Sequence, residues 1–294
     1  MADPSPTPED IIGGGILTKK GLLTISGKQK VGKSFLVMNL AMALIDGRQF
    51  ACFDIRQRSK VLIFSAEGGY YSNRDRIRRI ARDVDPQLMD NLHFCFDTRI
   101  KIDDDQDYEK IKGYISKYKP DVVIIDPLVK FHSSDENSAQ GMSQVMSRIR
   151  SIIEDHSISV ILTHHDGKGE HSGLRGSSTI AGEYDSYMQL HNAAEGHRIE
   201  FELRHNLSPA DTHVIFDKET LWFRNDAIDP IVEIVLQYSP IAKKDIVKIL
   251  KENMNIPPAT AYRRIDDAVK NGIIRLEGER YMPGNTYTFP AAKS

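Results

Sequence analysis

The chain has 294 residues, 40% of them hydrophobic and 27% charged, enough for a mid-sized domain with a small companion and too apolar for a disordered polymer. No apolar run approaches the roughly 20 residues of a membrane helix, and a net charge of −2 gives no overall nucleic-acid signature. Cys52 and Cys95 are the two cysteines, and neither belongs to a metal-type pair. They read as reduced thiols of a cytoplasmic protein.

The first ten residues are Pro-rich and acidic and carry no apolar stretch of the kind a signal peptide needs. A disordered tail over residues 1–12 is the expectation. Next comes an apolar run at 22–26, then Gly27-Lys28-Gln29-Lys30-Val31-Gly32-Lys33-Ser34, then helical spacing over 35–45. Strand, G-x-x-x-x-G-K-S and helix in that order define a phosphate loop. The residues expected to touch nucleotide are Gly27, Lys28, Gln29, Lys30, Val31, Gly32, Lys33, Ser34 and Phe35. The glycines let backbone N–H groups curl around phosphate oxygens, and the helix N-terminus adds partial positive charge. Lys33 supplies the cation for the transferred phosphate, and the Ser34 hydroxyl is a ligand for Mg²⁺. Lys30 either assists phosphate or faces solvent.

Residues 61–65 read as a buried strand leading into Ser65-Ala66-Glu67-Gly68-Gly69. Residues 122–126, Val-Val-Ile-Ile-Asp, have the form of an apolar strand ending in an acid at the ligand-binding edge of a parallel sheet. Asp126 is therefore expected to hold Mg²⁺ through water. Pro127 follows it, so no glutamate adjoins the acid and the catalytic base must lie elsewhere. Glu67 is the candidate for polarising the attacking water; its alternative is a helix cap. After a helix at 142–153, the strand 159–163 ends in Thr163-His164-His165. Alternation sends the two imidazoles to opposite faces. His164 is favoured as the γ-phosphate sensor and His165 is the second choice.

Residues 199–204, 212–216 and 221–223 read as antiparallel strands at the sheet edge. The core domain is expected over residues 13–225. Past a boundary at 225–230 the pattern changes to helices at 230–238, 242–254 and 258–271, then a hairpin of 273–276 with 281–289. Three helices and a hairpin in 230–294 are the pattern of a winged helix-turn-helix. From Ile231 onward there are ten basic residues against seven acidic ones, while the remainder carries an acidic excess. The third helix offers Tyr262, Arg263, Arg264 and Lys270 to a partner, with Ile265, Ala268 and Val269 inward and Thr260 as N-cap. Arg263 and Arg264 are the expected DNA contacts. Interleaved Asp266, Asp267, Glu277 and Glu279 leave protein docking open for the same module.

The motifs together resemble the RecA-like superfamily, and within it the RepA-type hexameric plasmid helicases and their AAA_25 relatives. The passages that carry the likeness are Asp126-Pro127-Leu128-Val129-Lys130-Phe131-His132 with Asp135-Glu136-Asn137, then His164-His165-Asp166-Gly167-Lys168-Gly169, then Arg175-Gly176-Ser177-Ser178. The resemblance implies an α/β fold with a RecA-like P-loop NTPase core, ATP and Mg²⁺ as cofactors, and a homo-oligomeric ring, a hexamer, with nucleotide between subunits. It also implies single-stranded DNA in the ring channel. Lys168 and Arg175 lie in a glycine-rich loop suited to gripping a phosphodiester backbone. An arginine from a neighbouring subunit completes such sites. Asp185 stands where the RepA-type helicase has that arginine, so Arg204 is nominated instead, with Arg175 second. The expected function is an ATP-driven DNA motor, a replicative helicase of a plasmid or mobile element. The alternative is a regulator or defence ATPase of the same fold that reads DNA through the winged helix without unwinding it.

Overall fold

The computed structural model describes residues 8–66, 69–165, 182–193, 196–225, 230–254, 256–270 and 274–284. The chain divides into two compact units, Met1–Asn225 and Asp226–Ser294.

In the first unit a small hairpin of β1 (Asp10–Ile12) and β2 (Leu17–Thr18) precedes the main sheet. Ile11 and Ile12 are buried, so the expected tail is too long: these two isoleucines draw residues 10–12 into the core. The chain then runs through β3 (Leu22–Gly27), α1 (Lys33–Asp46), β4 (Val61–Ser65), α2 (Gly69–Ile80), β5 (Leu92–Cys95) and α3 (Asp105–Tyr118). It continues through β6 (Val122–Asp126), α4 (Ala139–His156), β7 (Ser159–Thr163), β8 (Ser186–Asn192), β9 (His197–Leu203), β10 (Thr212–Phe216) and β11 (Phe223–Asn225). Among the described residues nine strands form one sheet in the order β11-β10-β9-β8-β3-β7-β6-β4-β5. From β8 to β5 neighbouring strands are parallel, and from β8 to β11 they are antiparallel.

The two halves differ in pattern for a physical reason. Strands β3, β4, β6 and β7 are buried at every residue, because helices cover both faces of a parallel sheet. Strand β8 alternates buried and half-buried residues. It carries Tyr187, Gln189 and His191 on its less covered face, which is why no apolar run marks it in the sequence. One core gathers α1 with Leu23, Ile25, Val61, Ile63 and Ile161; the other gathers Ile111 and Ile115 of α3, and α4, with Leu62, Val123, Ile125 and Leu162. Helix α4 starts where Ser138 Oγ accepts from Gly141 N (3.1 Å), and α3 where the Asp104 carboxylate accepts from Gln106 N and Asp107 N.

The second unit contains α5 (Pro230–Tyr238), β12 (Ile241–Ala242), α6 (Lys243–Met254), α7 (Pro258–Lys270), β13 (Ile274–Glu277) and β14 (Arg280–Pro283). Its sheet has the order β12-β14-β13. Ile231, Val235, Ile246, Leu250, Ile265 and Tyr281 fill its core. Two expectations need correction. Helix α7 begins at Pro258, so Thr260 lies inside its first turn and is not the N-cap; Pro257 O accepts from Ala261 N instead (2.9 Å). The hairpin turns at Gly278 (φ 62°), not over a loop of four residues, because glycine takes the left-handed conformation that a tight turn needs. The second strand of that hairpin was expected to reach 289; residues 285–294 lie outside the described set.

Candidate nucleotide site

Lys33, Ser34, Asp126, His164 and His165 collect at or just beyond the carboxyl ends of β3, β7 and β6. Register places Ile25 opposite Thr163, Ile125 opposite Leu162, and Ser65 opposite Asp126. With strands about 4.8 Å apart, Asp126 stands roughly 10 Å across the sheet from the end of β3. The sheet edge therefore presents a loop, two histidines and an acid in one row.

The loop between β3 and α1 owes its shape to backbone conformations that favour glycine. Gly27 has φ 154° and Gly32 has φ 102°, and a Cβ on Gly27 would fall 2.6 Å from the Leu190 carbonyl oxygen. Lys30 also sits in the left-handed region, at φ 64°. Lys28, Gln29 and Lys30 are exposed, while Val31 is buried against the core. The exposed Lys30 side chain is compatible with both of its readings, since bound phosphate would meet the loop from the solvent side.

Lys33 is 6% exposed, unusual for a lysine, and its ammonium is held inside the loop. It donates to Gly27 O (2.7 Å) and Lys28 O (3.1 Å), and lies 3.2 Å from His165 Nδ1. A lysine ammonium has donors only, so Nδ1 accepts and His165 is neutral with its proton on Nε2. Asp126, 5% exposed, accepts a 2.5 Å hydrogen bond at Oδ1 from Thr163 Oγ1. That contact fixes the carboxylate's orientation at the sheet edge. Ser34 follows Lys33 on α1 and is half-buried.

His165 is the imidazole at Lys33. His164 turns to the other face, is 1% exposed, and has Nδ1 3.8 Å from Glu136 Oε1. That distance exceeds a hydrogen bond, and the pair becomes an ion pair only when the ring is protonated. Glu136 sits on a loop organised by Asp103, whose carboxylate accepts from Ser133 N, Ser134 N and Ser134 Oγ. Burial pushes the Asp103 carboxyl up, but hydrogen bonds from Ser134, Ser133 and its own backbone together hold it below its usual range. His164 is therefore part of the wall behind the site.

Arg204 lies at the opposite edge of the sheet. Leu203 pairs with Ser186, and Ser186 pairs with Leu23 at the start of β3. Arg204 is thus about 15–20 Å, one strand length, from the loop of its own chain. It donates to Gly182 O (2.6 Å) and its guanidinium lies 4.8 Å from the Tyr184 ring centroid. Asp185 is a brace: its carboxylate accepts from Leu22 N (2.8 Å) and pairs twice with Arg150 (2.9 and 3.2 Å).

Glu67, Lys168 and Arg175 lie outside the described residues. In the second unit Arg263 is exposed and Arg264 half-buried on α7, with Tyr262 exposed beside them and Ala261, Ile265 and Ala268 inward. Asp266 pairs with Lys243, and Arg275 pairs with Glu277 (2.9 Å). Three contributors gave no signal in the sequence: Thr163, Asn39 and His197. Each acts through a contact with a residue distant along the chain.

Oxygen donors from Ser34 and Asp126 suit a hard cation such as Mg²⁺. Among the described residues no group of three or more His, Cys, Asp or Glu side chains is placed to hold a metal by itself. A magnesium ion here would need further oxygens, and nucleotide phosphates have them.

A phosphate loop at the end of a central parallel strand, with an acid two strands away on the same edge, defines a P-loop NTPase core of RecA-like architecture. Residues 1–171 match the family model AAA_25, AAA domain. The chain belongs to that family. A solved structure with a similar fold is the ATPase domain of another protein, at TM-score 0.54 and 16% identity, with 70% of this chain and 85% of that one covered. Among the described residues no helix is long and apolar enough to cross a membrane.

Proposed function

We propose that this chain is an ATP-hydrolysing DNA motor, acting as a hexameric replicative helicase of a plasmid or other mobile element. The observation that carries the reading is Lys33, buried and bonded to Gly27 O, Lys28 O and His165. Phosphate oxygens are charged acceptors and bind an ammonium more strongly than carbonyls or a neutral ring do. ATP entering the loop exchanges these partners for its β- and γ-phosphates. His165, released from Lys33, then senses the γ-phosphate from the next strand. Ser34, and Asp126 through water, would hold Mg²⁺, which would supply positive charge to offset that developing on the phosphates. Glu67, beyond the end of β4, polarises the attacking water. Arg204 serves the site of a neighbouring subunit, which its place at the far edge of the sheet favours over its own. Lys168 and Arg175 grip single-stranded DNA.

A second reading has support in the second unit. Its order of helix, strand, two helices and hairpin, with sheet order β12-β14-β13, fits a winged helix whose α7 offers Tyr262, Arg263 and Lys270. A cytoplasmic ATPase switch that binds duplex DNA there would need no unwinding. ATP hydrolysis measured with and without single-stranded DNA separates the two. Stimulation of severalfold supports the motor. Hydrolysis indifferent to single strands, with duplex binding lost on removal of residues 230–294, supports the switch.

A further inference from the structure

The phosphate loop does not stand on β3 and α1 alone. Asn39, six residues beyond Lys33 on α1, is completely buried. Its amide donates from Nδ2 to Leu221 O (3.0 Å) and accepts at Oδ1 from Phe223 N (2.8 Å). One side chain thus joins the loop's helix to the start of β11, pairing with backbone as a neighbouring strand would. Leu221 takes φ 60° there, a conformation that a branched L-residue adopts at a cost. That turn presents its carbonyl to Asn39.

Phe223 then reaches under the loop. Its Cζ lies 3.1 Å from the point where a Cβ on Gly32 would stand, so the missing side chain lets the ring close against the loop backbone. The His197 ring meets Phe223 edge to face, with centroids 5.2 Å apart at 81°. The Nδ1 of His197 is buried with no hydrogen-bond partner among the described residues. Phe216 completes the wall, 5.1 Å from Phe223 and 4.9 Å from Phe35. Residues 31–35 therefore rest on side chains from β10 and β11, with His197 of β9 packed behind Phe223, all from strands far along the chain.

We propose that the antiparallel strands β9 to β11 form a bracket that sets the shape of the phosphate loop, with Asn39, Phe223 and His197 as its positioning residues. The inference rests on the reading of residues 27–34 as a nucleotide site. Without the bracket the loop backbone samples other conformations, and its N–H groups no longer converge on a phosphate before it arrives. Nucleotide affinity falls, while Lys33, Ser34 and Asp126 keep their chemistry.

The test compares ADP affinity in the presence of magnesium, KM and kcat for ATP, and thermal melting. The proteins are the full-length parent, Asn39→Leu, Phe223→Leu and a control, Ile149→Val, in the core on the opposite face of the sheet. Asn39→Leu keeps the branched outline at a somewhat larger volume and removes both hydrogen bonds. Phe223→Leu keeps the backbone bond to Asn39 and removes the ring beneath Gly32. Measured well below its melting transition, Asn39→Leu should bind ADP about tenfold or more weakly, the scale seen when outer partners of a bound group are removed. Its KM should rise by a larger factor than kcat falls, with Phe223→Leu changing in the same direction. The control should melt earlier and bind ADP as the parent does. Parental ADP affinity and KM in folded Asn39→Leu and Phe223→Leu, with only melting lowered, would overturn the inference. If Asn39→Leu does not fold, Phe223→Leu decides by the same criterion. A parent that binds no ADP overturns the nucleotide reading itself, and the bracket with it.

Discussion

The two edges of the large sheet carry polar groups of opposite character. At the carboxyl edge Lys33 is bonded to loop carbonyls and a neutral imidazole, and Asp126 to a threonine hydroxyl. At the amino edge Asp185 is engaged twice by Arg150 and once by Leu22 N, and Arg204 by Gly182 O and the Tyr184 ring. These partners at the first edge are neutral, so an incoming phosphate can compete for the cation. Those at the second include a charged bidentate pair that nothing neutral displaces. The difference teaches that burial of charge alone does not mark a site. What sets the carboxyl edge apart is that the hydrogen bonds described for its buried lysine run to neutral groups, which a phosphate would outcompete.

The comparison breaks most sharply at Lys33. Lys33→Ala should fold, as circular dichroism would verify, and should lose ATP turnover in a steady-state phosphate-release assay. Glu67→Gln comes next: it should still bind ATP and hydrolyse it about a hundredfold more slowly, the scale of a lost general base. Normal turnover would move the base elsewhere, with Glu136 the next carboxylate to test. At the amino edge, Asp185→Ala strands the Leu22 N–H and leaves the Arg150 guanidinium with Glu183 alone of these partners. Urea unfolding should show a loss of roughly 1–3 kcal/mol, and ADP affinity should stay at the parental level. A fall in ADP affinity larger than the fall in stability would erase the contrast between the edges. The smallest effect concerns Lys168 and Arg175. Their joint replacement by alanine should flatten the salt dependence of single-strand binding by roughly 0.7 units of log–log slope per lost phosphate contact. An unchanged slope would place DNA on another surface.

The parallel half of the fold was legible in the sequence because physics writes it locally. Strands buried on both faces must be apolar throughout, and residues 61–65, 122–126 and 159–163 are strands with those bounds. The phosphate loop was equally legible, since its conformation needs glycine at fixed positions. Strand β8 was not, because one of its faces is incompletely covered and Tyr187, Gln189 and His191 interrupt the apolar pattern. The short β12 is defined by pairing with β14, forty residues later in the chain, and two residues carry no periodicity. Alternation predicted that the two histidines would diverge, and they do. Which of them meets Lys33 depends on the register of β7 against β3, with Ile25 opposite Thr163, which local sequence does not encode. Asn39 and His197 were invisible for the same reason: an asparagine in an apolar helix and a histidine opening a strand gain meaning only from Phe223, far from both along the chain.

The central claim is that the carboxyl edge, and not the amino edge, receives the nucleotide phosphates. Hydrogen–deuterium exchange of the intact chain, with and without ADP and magnesium, tests it directly. Bound nucleotide should slow exchange in peptides covering residues 27–36, where loop N–H groups gain phosphate acceptors, and at 163–165, where His165 changes partner. Unchanged exchange at 27–36 with saturating nucleotide, and protection appearing only at residues such as 182–186 and 203–206, would contradict the account.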